Sequence, residues 1–207
     1  MSDIVKITKR TQLQSGYYPL LQTSYRFQKF DGTWSHEIVR ETVQRGDVVC
    51  VLPYDPAQQC FILIEQLRIA AVLEAERKGR LATGRVIEAV SGCIDDGESP
   101  EQAARRELHE ESGLIAREMI DLGSVLTNPG MCDERLYFYI ALVEAPMGEG
   151  TFGIAEEGED IRLQYFEQSA LETLLSGGRI DKAGALLLLY KFRAYLNRLK
   201  DASMAKR

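Results

Sequence analysis

Three glutamates, Glu107, Glu110 and Glu111, stand at positions i, i+3 and i+4, a spacing that puts their carboxylates on one face of a helix. Like charges so placed repel by about 0.2–0.5 kcal/mol per pair, and negative charge near a helix C-terminus opposes the macrodipole. A bound cation would offset both costs. Hard oxygen donors with water completing the shell suit Mg²⁺ or Mn²⁺. Arg106, next in sequence, is placed to pair with a carboxylate from the preceding loop and hold it. An arbitrary acidic helix would present such residues merely as a solvated face, so the case for chemistry rests on what surrounds them.

The surroundings define a helix with both ends marked. Ser99 is an N-cap, Pro100 takes the first helical position, and Gln102 lies three residues on, as a capping box requires. Gly113 suits the left-handed conformation that stops a helix. Before this helix the chain reads as extended segments. A hairpin is expected between Gln22 and Val43, turning at Asp31-Gly32, with strands at Asp47–Pro53, Phe61–Gln66 and Val86–Val90. The charged stretch Val72–Arg85 reads as an exposed excursion. After the helix come a strand at Leu136–Val143 and a glycine- and acid-rich loop at Gly148–Glu159. A short helix follows near Ser169–Leu175, then a closing helix from about Lys182 to Leu199. The apolar stripe of that last helix is read through Leu186, Leu189, Tyr190, Arg193, Leu196 and Leu199. The order of elements predicts a mixed α/β or α+β layered fold rather than a run of βαβ units.

Composition narrows the class. With 45% hydrophobic and 27% charged residues, the chain has ordinary globular values. A net charge of −6 argues against a nucleic-acid partner but not against phosphate chemistry, because divalent metals bridge carboxylates to phosphate oxygens. Met1–Arg10 carries no apolar signal core, and Ala183–Tyr190, the longest apolar run, is too short to cross a bilayer. Cys50, Cys60, Cys93 and Cys132 form no CxxC pair and read as reduced thiols. A cytoplasmic protein without membrane or nucleic-acid partners is expected.

Gly92, Glu98, Arg106, Glu107, Leu108, Glu110, Glu111, Gly113 and Leu114 fill every specified position of the pattern G-x5-E-x7-R-E-U-x-E-E-x-G-U, where U is a bulky aliphatic residue. The sequence therefore resembles the Nudix hydrolases, α/β/α sandwich enzymes that cleave nucleoside diphosphates linked to another group. The resemblance implies Glu107 and Glu111 as metal ligands, Glu110 in support, and the backbone carbonyl of Ser91 as a further ligand. Gly92, Glu98, Arg106 and Gly113 would be structural, and two or three Mg²⁺ ions (or Mn²⁺) would occupy the site.

The flanks resemble bacterial ADP-ribose pyrophosphatases in Ser35–Gly46, Leu52–Pro56, Ile64–Ala71, Pro129–Glu134 and Glu156–Arg162. That resemblance implies Tyr17 and Arg40 at the adenine, Arg68 at the diphosphate, and Glu88 and Glu134 near the metal and terminal ribose. Pro129, sixteen residues beyond Gly113, is a substrate mark in this group, although a lone Pro-Gly is also simply a turn. Glu159 would bind metal and Glu157, preferred over Glu156 by register, would deprotonate the attacking water. The small-molecule substrate would be a nucleoside diphosphate sugar. Residues 1–45 are expected as an N-terminal antiparallel β element serving base binding and homodimerisation, and residues 46–207 as the hydrolase domain. Two departures stand out: Val90-Ser91 where many relatives have proline and alanine, and the longer Val72–Arg85 stretch. GDP-mannose hydrolysis is the nearest alternative. A catalytically silent binding module is the alternative of another class, which the intact glutamates disfavour.

Overall fold

The run from Val48 to Asp55 is apolar on both faces of its pleat and buried throughout, and the larger part of the molecule is built around it. The computed structural model describes residues 3–145 and 150–204, the side chains of residues 157 and 203 excepted. They form two compact units, Met1–Asp47 with Val125–Arg135, and Val48–Ser124 with Leu136–Arg207.

In the first unit β1 (Val5–Gln14), β2 (Leu20–Phe27) and β3 (Ile38–Val43) make an antiparallel sheet in that order. The β2–β3 pair is the expected hairpin, and Asp31 shapes its tip by accepting from the N–H and hydroxyl of Thr33 at 2.8 and 2.7 Å. Strand β1 was not expected. It is exposed along nearly its whole length, so it carries no one-sided apolar alternation to read. Residues 125–135 are stitched to the end of β3. Val43 N–H donates to the Met131 carbonyl at 2.9 Å, and the Asp133 carboxylate accepts from the Arg45 N–H at 2.8 Å.

The second unit is a forked sheet. Strands β4 (Val48–Asp55) and β5 (Cys60–Leu67) pair only at their closed end, Tyr54 with Phe61 and Asp55 with Cys60. Asp55 ties that end, its buried carboxylate accepting from the N–H groups of Ala57, Gln58 and Ala145 at 2.8, 3.1 and 2.9 Å. Beyond it the strands diverge, and two short strands fill the gap. β6 (Arg85–Glu88) pairs with β5, and β7 (Val90–Cys93) pairs with β4. The single strand expected at Val86–Val90 is thus broken at Ala89, where the chain changes partner. Outside the fork, β8 (Glu118–Leu126) and β9 (Arg135–Leu142) extend the β4 side, with β9 parallel to β4; β10 (Thr151–Phe152) and β11 (Ile161–Glu167) extend the β5 side.

The helices are α1 (Ile69–Arg77), α2 (Pro100–Ser112), α3 (Leu171–Ser176) and α4 (Ala183–Met204). Alternation along the strands sends Val49, Val51, Ile62 and Ile64 into a cluster with Ala103, Ala104 and Leu108 of α2. The opposite pleat sends Tyr54 and Phe61 against Phe192 of α4, with ring centroids 4.9 and 5.7 Å apart. Helices on both faces of a mixed sheet give the expected α/β/α sandwich. Fully burying Leu108 contributes about 2–3 kcal/mol, several times the repulsion within the acidic face, so packing decides that α2 forms and docks.

Two expectations are corrected. Val72–Arg85 is not all loop, since its first residues complete α1, whose Ile69 and Leu73 are exposed. In α4 the buried residues are Ala185, Leu188, Leu189, Phe192 and Leu196, whereas Tyr190 and Leu199 are exposed. The run Leu186–Leu189 is apolar at every position, so its helical phase could not be read from pattern. Cys50 and Cys60 are buried, Cys93 and Cys132 partly so, and none of the four is joined in a disulfide.

Candidate active site

Helix α2 is terminated as its residues require. Ser99 Oγ accepts from Gln102 N–H at 3.2 Å, the Gln102 side chain accepts from Ser99 N–H at 2.8 Å, and Gly113 ends the helix at φ 68°. Thirteen residues lie between, and the last turn carries the acidic face.

Arg106 organises that face. It donates to Glu98 at 3.1 and 2.9 Å and to the Cys93 carbonyl at 2.9 Å, clamping the loop ahead of α2. It also donates to Glu107 at 2.7 Å and to Glu110 at 2.9 Å, which sequence reasoning did not foresee. Hydrogen bonds with Glu98 foremost raise the guanidinium further above its ordinary range, and the same pairing holds Glu98 below the usual carboxylate value.

Glu107 lies directly against the backbone of β7. A Cβ on Gly92 would fall 1.9 Å from its carboxyl carbon, so only glycine allows this approach. Burial pushes Glu107 up to about 6 even with Arg106 bonded to it. Glu111 is 2% exposed and accepts one hydrogen bond, from Ser91 N–H at 2.9 Å. Burial first, and then the neighbouring charges of Glu107, Glu159 and Glu88, push it up to about 8 despite that hydrogen bond. The bottom of the fork thus holds more negative charge than its cations balance. Even so, no group of three or more His, Cys, Asp or Glu among the described residues is already gathered as a metal cage. Arg106 and backbone N–H groups hold the carboxylates instead.

Other expected residues meet here. Glu88, fully buried at the end of β6, is bonded by Arg68 at 2.7 and 3.3 Å. Glu159 faces Glu107, Glu111 and Arg68 electrostatically and accepts from Ile154 N–H at 3.0 Å, closing its own loop. That loop is fastened to α2 by Gly153 N–H donating to the Glu110 carbonyl at 3.2 Å. Glu157 lies on the 3-10 turn Ala155–Glu157, its side chain outside the described residues, as are residues 148 and 149 at the start of the expected loop.

The remaining expected residues belong to the first unit. Tyr17 is 84% exposed, its ring edge-on to Tyr18 at 4.6 Å. Arg40 bonds the Val39 carbonyl, and Glu134 pairs with Arg45 at 3.4 Å. Pro129 sits in an exposed turn closed by Met131 N–H on the Asn128 carbonyl at 2.9 Å.

A NUDIX domain family model matches residues 44–186. The chain belongs to the Nudix family. The glutamate face of α2 lies within the matched span, and the chain's curated relatives run nearly its full length. An ADP-ribose pyrophosphatase of Escherichia coli strain K12 is 36% identical over 95% of this chain and 91% of its own. A GDP-mannose pyrophosphatase of Enterobacter sp. strain 638 is 32% identical over 91% and 95%. Among solved structures, an ADP compounds hydrolase superposes with TM-score 0.73 at 20% identity, covering 95% of this chain and 96% of its own.

Sequence reasoning missed Lys182. Its ammonium donates to Glu88 and, at 3.1 Å, to Ser91 Oγ, so this Nudix site contains a second cation beside Arg68. One signal was available: a lysine at a helix N-terminus opposes the macrodipole and so calls for a partner.

Proposed function

We propose that the chain is a metal-dependent diphosphatase that hydrolyses ADP-ribose to AMP and ribose 5-phosphate. The observation that carries the reading is the pair of partly buried Glu107 and buried Glu111, short of positive charge, in a Nudix chain whose relatives along nearly its full length bear pyrophosphatase names.

The residues fit a divalent cation, because Glu111 has a single N–H partner at 2.9 Å and both carboxylates are held above their usual range. Glu107 and Glu111, with Glu110 in support, Glu159 and the Ser91 carbonyl would hold Mg²⁺ or Mn²⁺. When bound, the metal neutralises charge on the phosphoryl oxygens and lowers the pKa of the attacking water. Arg68, its fork fixed on Glu88, presents a planar cation suited to diphosphate oxygens. Glu157, on its short turn, is the group assigned to take the proton from water. Glu88 and Glu134 are assigned to the metal and ribose side, Pro129 to substrate selection, and Tyr17 and Arg40 to the adenine, all from the family resemblance.

GDP-mannose hydrolysis is the second reading, favoured by the 32%-identical relative of that name. Incubation with Mg²⁺ and a panel of ADP-ribose, GDP-mannose, ADP-glucose and NADH separates the readings. ADP-ribose cleaved fastest supports the first, a tenfold preference for GDP-mannose replaces it with the second, and no turnover points to a binding module.

The exposed apolar side chains of the first unit, among them Ile4, Ile7, Leu13, Phe30 and Val39, support a homodimer built through this sheet. No helix among the described residues is long and apolar enough to cross a membrane. A cytoplasmic location is the reading consistent with four cysteines outside any disulfide.

A further inference from the structure

Lys182 stands one residue ahead of α4 and reaches the elbow between β6 and β7. Its two acceptors, Glu88 and Ser91 Oγ, lie on either side of Ala89, where the chain leaves β5 for β4. Ser91 is thereby held twice, at its hydroxyl by Lys182 and at its N–H by Glu111 Oε2 at 2.9 Å. Its pairing opposite Cys50 in β4 fixes the rest of its backbone, and so the direction of its carbonyl.

Charge and geometry make opposite demands on this lysine. As a charge alone, an ammonium on Glu88 and Ser91 repels an incoming metal ion, and its loss would tighten metal binding. As a clamp on Ser91 it preorganises an oxygen donor, and its loss would weaken metal binding.

We propose that Lys182 is a positioning residue for the metal edge of the site, bridging Glu88 and Ser91 so that the Ser91 carbonyl is aimed alongside Glu111. The proposal rests on the metal reading of Glu111 and Ser91 given above.

The test is calorimetric titration of Mn²⁺ alone into the folded full-length protein, without substrate. Lys182→Met should weaken Mn²⁺ binding about tenfold or more, in the range that residues orienting metal ligands contribute. Lys182→Arg, which keeps a cation able to reach both acceptors, should recover most of the affinity. Ser91→Ala removes the hydroxyl end of the tether while leaving every charge in place, and should weaken binding in the same direction by about tenfold. It decides the matter if Lys182→Met, which strips a partner from buried Glu88, fails to fold by circular dichroism. Binding by folded Lys182→Met or by Ser91→Ala that is unchanged or tighter overturns the positioning role. Glu111→Gln separates the two claims. If it leaves Mn²⁺ affinity intact, the metal reading itself fails; if it abolishes binding while the Lys182 and Ser91 variants bind normally, only the role of Lys182 fails.

Discussion

At Gly92 the backbone of β7 and the carboxylate of Glu107 occupy adjoining space, with 1.9 Å left for any Cβ. Gly92→Ala must therefore push the carboxylate off its position, and a displacement of that size at a reacting centre costs about a hundredfold in kcat/KM. Activity within twofold of wild type would show that Glu107 is not needed where it lies. Glu111→Gln keeps an acceptor for Ser91 N–H but removes the ligand charge. Turnover should fall by about a thousandfold, corresponding to several kcal/mol of metal-assisted stabilisation. The same substitution has a distinct effect on stability. Glu111 is pushed up to about 8 in the folded chain, above the ordinary carboxylate value of the unfolded one. Its contribution is full below the unfolded value and is lost as pH rises to about 8, because over that window the folded state binds the extra proton. Melting curves in chelator should fall from pH 5 to pH 8 for wild type, and Glu111→Gln should flatten the decline. The acidic face was legible because helical spacing is local. Lys182 was not, because its partners Glu88 and Ser91 lie 94 and 91 residues away and only the fold brings them together.

The elements that hold these residues differ in how openly the sequence declares them. Helix α2 was readable to the residue, since its cap, its first-position proline and its terminal glycine are local chemistry. Ser99→Ala should cost about 1 kcal/mol and lower the melting temperature by about 2–4 °C; no shift would mean the capping box contributes nothing. The β4–β5 turn depends on Asp55. Burial pushes its carboxyl up, but the N–H groups of Ala145, Gln58 and Ala57 outweigh this and hold it below the usual range. Its stabilisation is present above the unfolded carboxylate value and is lost as pH falls through the folded one. Asp55→Ala strands three N–H groups and should cost about 3 kcal/mol or more, measured by urea unfolding at neutral pH. The break at Ala89 could not be read, because no turn residue separates Glu88 from Val90 and only the divergence of β4 and β5 divides the segment. Strand β8 escaped notice for a related reason, since Gly123 interrupts its alternation.

At the scale of the molecule, the sandwich follows from strands whose two pleat faces are both apolar and from one helix on each side. The grouping of residues 125–135 with the N-terminal sheet does not, because hydrogen bonds such as Val43 to Met131 span a long stretch of chain. The apolar side chains left exposed on that sheet lead us to expect a dimer. Light scattering at micromolar concentration should give twice the chain mass of 23.3 kDa, and a persistent monomer would contradict the assignment of this sheet to self-association. The acidic fork and the family's pyrophosphatases converge on one reaction, and the sugar nucleotide it acts on is the claim with most at stake. The most direct test is kcat/KM for ADP-ribose and for GDP-mannose, measured with Mg²⁺ and again in chelator, on wild type and Glu111→Gln in parallel. Preference for ADP-ribose is expected, with AMP and ribose 5-phosphate as products, turnover being abolished by chelator and cut about a thousandfold by Glu111→Gln. Turnover that survives chelation, or a tenfold preference for GDP-mannose, would contradict it.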